Sequence, residues 1–504
     1  MTPPASSRWA WPVLAVGVVG LALASRLIPL LRGGGLLGLG NYDDGVHYAS
    51  AAGLVRGLLP YRDFLLLQPP GISVLLAPFA LLGRVAGDPV GFAVARLAFV
   101  AVGSLTAALV ARWLRPLGLM AAAVGGSFYA LFLPAAYVDR STLLEGPGNT
   151  LVIIALLLIS RSHSRRSRQT LLLSLAGVAL GLSVAIKIWA IVAVLIIVGW
   201  LWLVRSWRPA LRVLVCAGAT GAVIALPFLV LAPRPMWQMV VTDQLGRRRT
   251  GGLTGRLVNL TGLSRWDLTT DRTMPLVLTV AGLVVALVLA VTVVRARLPA
   301  LLLVADAVIL LMAPSAFLHY GALVAGPAAL VVGAGTARLV AVTTVRTRTV
   351  GGRRIVAGAL TALLLAGMAV WGSSGLADRW GRRFPAAALR PAAAAVHGCI
   401  ATDDPGTLIL LDVLDRDVAD GCPFVIDLGG HSYHPPLLAP GARDRNQGWQ
   451  RFALSYLRDA DLVIIVRFRS NFGFDRQTAR EVNRWPVVAE SGRYRLRAPR
   501  PGGG

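Results

Sequence analysis

Long apolar runs separated by short arginine-rich links dominate this chain up to about residue 372. The runs lie at roughly 10–31, 89–111, 117–137, 148–160, 169–186, 188–204, 212–232, 275–294, 298–314, 321–341 and 355–372. Crossing the hydrocarbon takes about 20 apolar residues as a helix, so the pattern predicts membrane spans, several of them short. The links Arg112–Arg115, Arg161–Arg168, Arg205–Arg212, Arg295–Arg297 and Arg346–Arg354 are strongly basic, and the positive-inside rule assigns all five to the cytoplasm. One arrangement satisfies them: eleven spans with a cytoplasmic N-terminus, provided that residues 69–84 do not cross. That segment contains Pro78 and reads as a helix at the interface. If it did cross, the downstream basic links would face outward. At the N-terminus, Ala22-Leu23-Ala24-Ser25 looks like a signal-peptidase site, but Leu27 to Leu31 continue the apolar run and favour an uncleaved first span.

Beyond about Gly372 the pattern changes. Thr407–Val413, Phe424–Leu428 and Asp461–Val466 read as buried strands, and 447–458 and 475–483 as helices. The expected architecture is therefore a polytopic α-helical membrane domain over 1–372, with an external loop 33–88 carrying interfacial helices, followed by a small extracytoplasmic α/β domain over 373–504. The Pro501–Gly504 tail is expected to be disordered. No internal repeat of the kind that marks many transporters is visible.

Composition supports the membrane reading. The 504 residues are 56% hydrophobic and only 15% charged, with a mean hydropathy of +0.67; soluble domains carry about 25% charged residues. The formal charge of +26 comes mostly from arginines in the links. That distribution is topogenic and speaks for a lipid bilayer, against nucleic acid, as the partner. Lys187 is the single lysine. Of three cysteines, Cys216 lies in an apolar run, whereas Cys399 and Cys422 can pair if their region is extracytoplasmic, which spacing alone does not show.

The rare polar groups fall together in this topology. Asp43, Asp44, Asp139, Glu145, Lys187, Asp243, His319 and Tyr320 all come out at or near extracytoplasmic ends of spans, and none was used to set the topology. Asp43 or Asp44 can cap a helix with His47 one turn on. An adjacent acidic pair is nonetheless expensive near lipid, and Tyr61-Arg62-Asp63-Phe64 and Gln68-Pro69-Pro70-Gly71 follow in the same loop. A carboxylate pair at this boundary can hold a base that activates an acceptor hydroxyl. Lys187, amid apolar sequence, snorkels to the interface or has an anionic partner, with phosphate and Glu145 both suitable. His431, His434 and the Asp403-Asp404 pair lack convincing metal-ligand spacing. A divalent cation at Asp43-Asp44 is compatible with the residues but not required.

In the order acidic pair, short helix, Pro-Pro element, the first external loop resembles that of the GT-C superfamily of polyprenyl-phosphate-sugar-dependent membrane glycosyltransferases, which includes protein O-mannosyltransferases and aminoarabinose transferases. The likeness covers about the first 160 residues well and the rest in architecture. The family usually has Asp-Glu and Lys-Pro-Pro where this chain has Asp43-Asp44 and Gln68-Pro69-Pro70. The resemblance implies transfer of a sugar from a polyprenyl-phosphate donor to a cell-envelope acceptor (glycan, glycolipid or protein) at the extracytoplasmic face of the plasma or inner membrane. It favours Asp43 over Asp44 as base, and Glu145, with Asp139 as the alternative, as the acidic residue of the later loop. Donor phosphate needs cationic or hydrogen-bonding groups, for which Lys187, Arg56, Arg62, Arg140, His319 and Tyr320 are candidates. The run Arg247, Arg248 and Arg249 contacts either anionic headgroups or the donor head. The competing reading is a transporter or lipid flippase with Lys187 and His319 along the substrate path.

Overall fold

A computed structural model describes residues 6–32, 34–163, 166–247, 251–265, 273–345, 347, 349–377, 381–439, 442–468 and 473–499. Arg248, Arg249 and the Pro501–Gly504 tail lie outside the described residues. Each expected span corresponds to a helix. Seven are long and apolar enough to cross a membrane: Trp9–Arg32, Asp88–Leu117, Gln169–Ile186, Trp207–Leu231, Thr273–Val291, Leu318–Thr344 and Gly351–Ser373. The other four are Leu119–Leu131, Glu145–Ser162, Ile191–Val204 and Arg297–Met312. At 1.5 Å per residue, the shortest of these extends only about 20 Å. The run 117–137 is interrupted at Phe132, which is extended, and a six-residue helix, Leu133–Val138, follows with Pro134 in its first turn. Residues 69–84 contribute most of the 16-residue helix Gly71–Ala86, with Pro78 inside it.

The chain packs as two units. The first comprises Met1–Pro29, Ala98–Val223 and Thr250–Asp378. It is a helical bundle whose core includes Val18, Ala107, Phe132, Ile153, Leu180, Ile197 and Val331. Small residues bring its helices close, as membrane helices require in the absence of a hydrophobic drive between them. At Gly125 a Cβ would stand 2.8 Å from the Ala329 carbonyl oxygen.

The second comprises Leu30–Leu97, Ile224–Arg249 and Arg379–Gly504. The loop after the first span and the C-terminal region thus share one unit. A two-residue strand β1 (Gly38–Leu39) pairs antiparallel with β2 (Arg382–Arg383). A four-stranded sheet runs β3-β4-β6-β5, from β3 (Ile400–Thr402), β4 (Leu462–Ile464), β5 (Val487–Ser491) and β6 (Tyr494–Arg497). β3 and β4 are parallel, and the other pairs antiparallel. Helices Gln447–Arg458 and Arg476–Arg484 pack Trp449, Leu457 and Val482 against Val463, Phe468 and Trp485. Two expected strands are corrected. Thr407–Val413 is mostly the helix Gly406–Leu411, buried throughout, started by Asp404-Pro405 and ended by left-handed Asp412 at φ 65°. A continuous apolar run has no period to separate a buried strand from a buried helix. Phe424–Leu428 is an irregular segment between Pro423 and the turn Gly430–Tyr433. Cys399 and Cys422 are joined as a disulfide.

Candidate active site

In the second unit, helix Tyr42–Val55 begins where the Asn41 side chain accepts from the Asp43 amide at 2.9 Å. Asp43 and Asp44 therefore occupy the first turn, where exposed amides and the helix dipole favour negative charge. The two carboxylates are not equivalent. Asp44 is fully buried and its Oδ2 accepts from Arg96 Nε at 3.0 Å and Nη2 at 2.6 Å. Arg96 also donates to the Gly35 and Leu36 carbonyls, both at 2.8 Å, and its guanidinium lies 4.0 Å from the Phe92 ring centroid. Asp43 is half-buried. His47 is buried one turn on, and Ser50 bonds Ser73 at 2.8 Å, joining this helix to the one that follows Pro69-Pro70.

The loop arginines have carboxylate partners. Arg56 pairs with Asp415, its Nε donating at 2.7 Å. Arg62 pairs with its neighbour Asp63 at 2.8 Å, which holds the Asp63 carboxyl below its usual range. Arg247 stacks over Tyr433, 4.9 Å from the ring centroid. Asp243 accepts from Gln238 and faces His434 Nδ1, both at 2.6 Å. Tyr42 donates to Asp427 at 3.0 Å and accepts from the Gly429 amide at 3.1 Å. Burial and the Asp427 charge push its phenol well above the usual range, so it stays a neutral donor.

In the first unit, Lys187 ends helix Gln169–Ile186 and its Nζ contacts Glu145, the first residue of helix Glu145–Ser162. Both are buried. The ammonium also lies over Tyr320, 4.6 Å from its centroid, and Trp189, 5.3 Å away. His319 stacks on Phe317 and meets Tyr320 edge-on. Glu145, Asn149, Ser183, Lys187 and Asp306 line a cavity of about 20 Å³, room for a single water. Asp139 pairs with Arg26 at 2.7 Å, both wholly buried, and Arg140 instead donates to the Ser25 carbonyl at 2.7 Å. The structure thus brings Glu145, Lys187, His319 and Tyr320 together, and separately gathers Asp43, Asp44 and the loop around them.

Three charged residues inside apolar runs at these sites were absent from the sequence reading: Arg26, Arg96 and Asp306. Each interrupts an apolar run, and the signal was the rule applied to Lys187, that an ionisable group inside a span needs a partner or a function. Arginines so dominate the basic residues here that two inside spans did not stand out.

These features, a polytopic helical bundle with an acidic pair on the loop after the first span, are those that the resemblance to the GT-C type implies. The model of glycosyltransferase family 87 matches residues 67–314. Among solved structures, ArnT from Cupriavidus metallidurans bound to undecaprenyl phosphate is similar over 98% of both chains, at 15% identity and a TM-score of 0.61. The Archaeoglobus fulgidus oligosaccharyltransferase tethered to an acceptor peptide is similar over 91% of this chain and 69% of its own, at 13% identity and a TM-score of 0.56. No curated protein matches the sequence. The chain shares the fold of GT-C membrane glycosyltransferases, and the family 87 model covers just under half of it. The transporter alternative is not favoured.

Proposed function

We propose that the protein transfers a sugar from a polyprenyl-phosphate donor to a hydroxyl of a cell-envelope acceptor, at the extracytoplasmic face. The donor class is supported by the likeness to ArnT, a structure bound to undecaprenyl phosphate, along nearly the whole chain. The external placement is supported by the Cys399–Cys422 disulfide, since such bonds persist in oxidising compartments, and by the basic links that put the N-terminus in the cytoplasm.

The observation that carries the mechanism is the inequality of the acidic pair. Asp44 is committed to Arg96, whereas Asp43 is half-buried in the same helical turn. Asp43 is then the base. Its carboxylate takes the proton of the acceptor hydroxyl as that oxygen bonds to the anomeric carbon. The bond from that carbon to the phosphate oxygen breaks, and the electron pair leaves with the polyprenyl phosphate, inverting the centre. Lys187 is assigned the donor phosphate. An ammonium has three donors, so contact with Glu145 leaves capacity for phosphate oxygens, and the Tyr320 and Trp189 rings flank the amine, with His319 packed against Tyr320. Arg56 and Arg62 keep their roles as phosphate candidates only if phosphate displaces Asp415 and Asp63. Among the described residues no three His, Cys, Asp or Glu side chains converge, and a cation at the acidic pair would compete with Arg96 for Asp44. The test supplies purified Asp43→Asn and Asp44→Asn proteins with radiolabelled polyprenyl-phosphate sugars and a membrane extract. Full transfer by both variants would end this assignment.

A further inference from the structure

The residues leading into the acidic pair are gripped by the chain beyond residue 379. Gly38 and Leu39 pair with Arg383 and Arg382. The Gly40 carbonyl accepts from Arg467 Nη2 at 2.8 Å, and Tyr42 is held by Asp427 and Gly429. One turn in, Gly45 abuts the C-terminal segment so closely that a Cβ would stand 2.5 Å from the Gly406 amide. Arg467 is itself fixed. Its Nε donates to Asp404 at 2.6 Å, and Asp404 accepts from the Gly406 amide at 2.9 Å. The backbone on either side is gathered by buried Asp403, whose carboxylate accepts from the Val466, Arg467 and Phe468 amides at 2.6 to 2.7 Å. The Asp403-Asp404 pair is therefore a strut. Asp403 sets the loop, Asp404 sets the guanidinium, and the guanidinium sets the carbonyl three residues before Asp43.

We propose that Arg467 is a positioning residue for sugar transfer, and that the C-terminal segment serves to hold the turn bearing Asp43 and Asp44 rather than to act as a detachable glycan-binding module. The inference rests on Asp43 as the base. A hydrogen-bonded clamp on the first helical turn controls where that carboxylate stands relative to the acceptor hydroxyl, and a displacement near 1 Å costs on the order of a hundredfold in rate. A brace serving stability alone would lower the folded fraction and leave turnover per folded molecule unchanged.

The experiment uses the full chain with Arg467→Ala, Arg467→Lys, Asp404→Asn and the Arg467→Ala/Asp404→Asn double variant, measuring melting temperature, kcat and the KM for the polyprenyl-phosphate sugar. Arg467→Ala is expected to lose about a hundredfold in kcat with an unchanged donor KM. Arg467→Lys, whose compact ammonium lacks the planar fork that spans Asp404 and the Gly40 carbonyl, recovers part of it. The double variant is no slower than Arg467→Ala, because the two residues act as one unit. A folded Arg467→Ala protein with kcat within about twofold of wild type overturns the proposal. So does a loss confined to the donor KM. Should Arg467→Ala fail to fold, Tyr42→Phe decides: a reduced kcat at unchanged donor KM supports the clamp, and an unchanged kcat overturns it. Failure of the base assignment reads out separately, as full transfer by Asp43→Asn.

Discussion

Replacing Arg96 with Met isolates the most consequential buried interaction in the second unit. The substitution keeps most of the side-chain volume and removes the charge, leaving Asp44, which is 0% exposed, without its Arg96 ion pair and the Gly35 and Leu36 carbonyls without their Arg96 donor. Breaking a buried pair from one side costs about 3–5 kcal/mol, because the remaining charge stays desolvated. The two carbonyls add about 1 kcal/mol each if water cannot reach them. The midpoint shift per kcal/mol falls with chain length and is about 1 °C for 504 residues, so Arg96→Met should melt about 5–7 °C lower in detergent. The companion Arg96→Met/Asp44→Leu protein has no charge left to bury and should regain more than half of that loss. Thermal melts of the two variants and of Asp44→Leu close a double-mutant cycle with a coupling of several kcal/mol. Should Arg96→Met melt within about 1 °C of wild type, or the double variant lie as low as the single, the pairing does not carry the weight given to it. Transfer should fall further than stability in Arg96→Met, since Asp44 sits next to the base and has lost the ion pair that fixes it.

Asp43→Asn should lose about 10²- to 10⁴-fold in transfer while a fluorescent or radiolabelled donor still binds, the signature of a missing base. Lys187→Met should raise the donor KM at least tenfold, whereas Glu145→Gln, which keeps the shape and frees the ammonium, should leave the donor bound at least as tightly; equal losses in both would argue for a purely structural pair. Reducing the Cys399–Cys422 bond, which closes a loop of sequence separation 23, should remove about 3 kcal/mol, read as a lower midpoint in dithiothreitol that a double Cys→Ala protein reproduces without reductant. Burial raises the Asp403 carboxyl from 3.8 to about 6 against the pull of three amides. A raised folded pKa means that its stabilising contribution is complete below about pH 4 and lost as the pH rises through 6, a swing of up to about 3 kcal/mol. Wild type should therefore lose stability relative to Asp403→Asn across that interval, and parallel curves would refute the shift.

Much of the site was readable one residue at a time. The acidic pair, the Pro-Pro element, Glu145 and Lys187 stood out because polar groups are rare in apolar sequence and costly there. The partners were not readable: Arg96 for Asp44, Arg26 for Asp139 and Asp415 for Arg56 lie 52, 113 and 359 residues away. A pairing across such separations leaves no periodicity. Thr407–Val413 marks the same boundary from the side of fold, since a uniformly apolar run says that it is buried but not in which conformation.

Hydropathy and arginine placement by themselves determined that this chain lives in a bilayer as a helical bundle, because lipid imposes the length and composition of any segment that crosses it. The order of an acidic pair, a short helix and Pro-Pro pointed to the transferase class. Only the folded chain decided that Asp44 is bound to Arg96 while Asp43 keeps partial exposure, and that Asp403 and Asp404 hold Arg467, which donates to the Gly40 carbonyl. Those outcomes depend on which distant groups meet in a low-dielectric interior, where an ion without a partner is too costly to leave, and that is a property of packing.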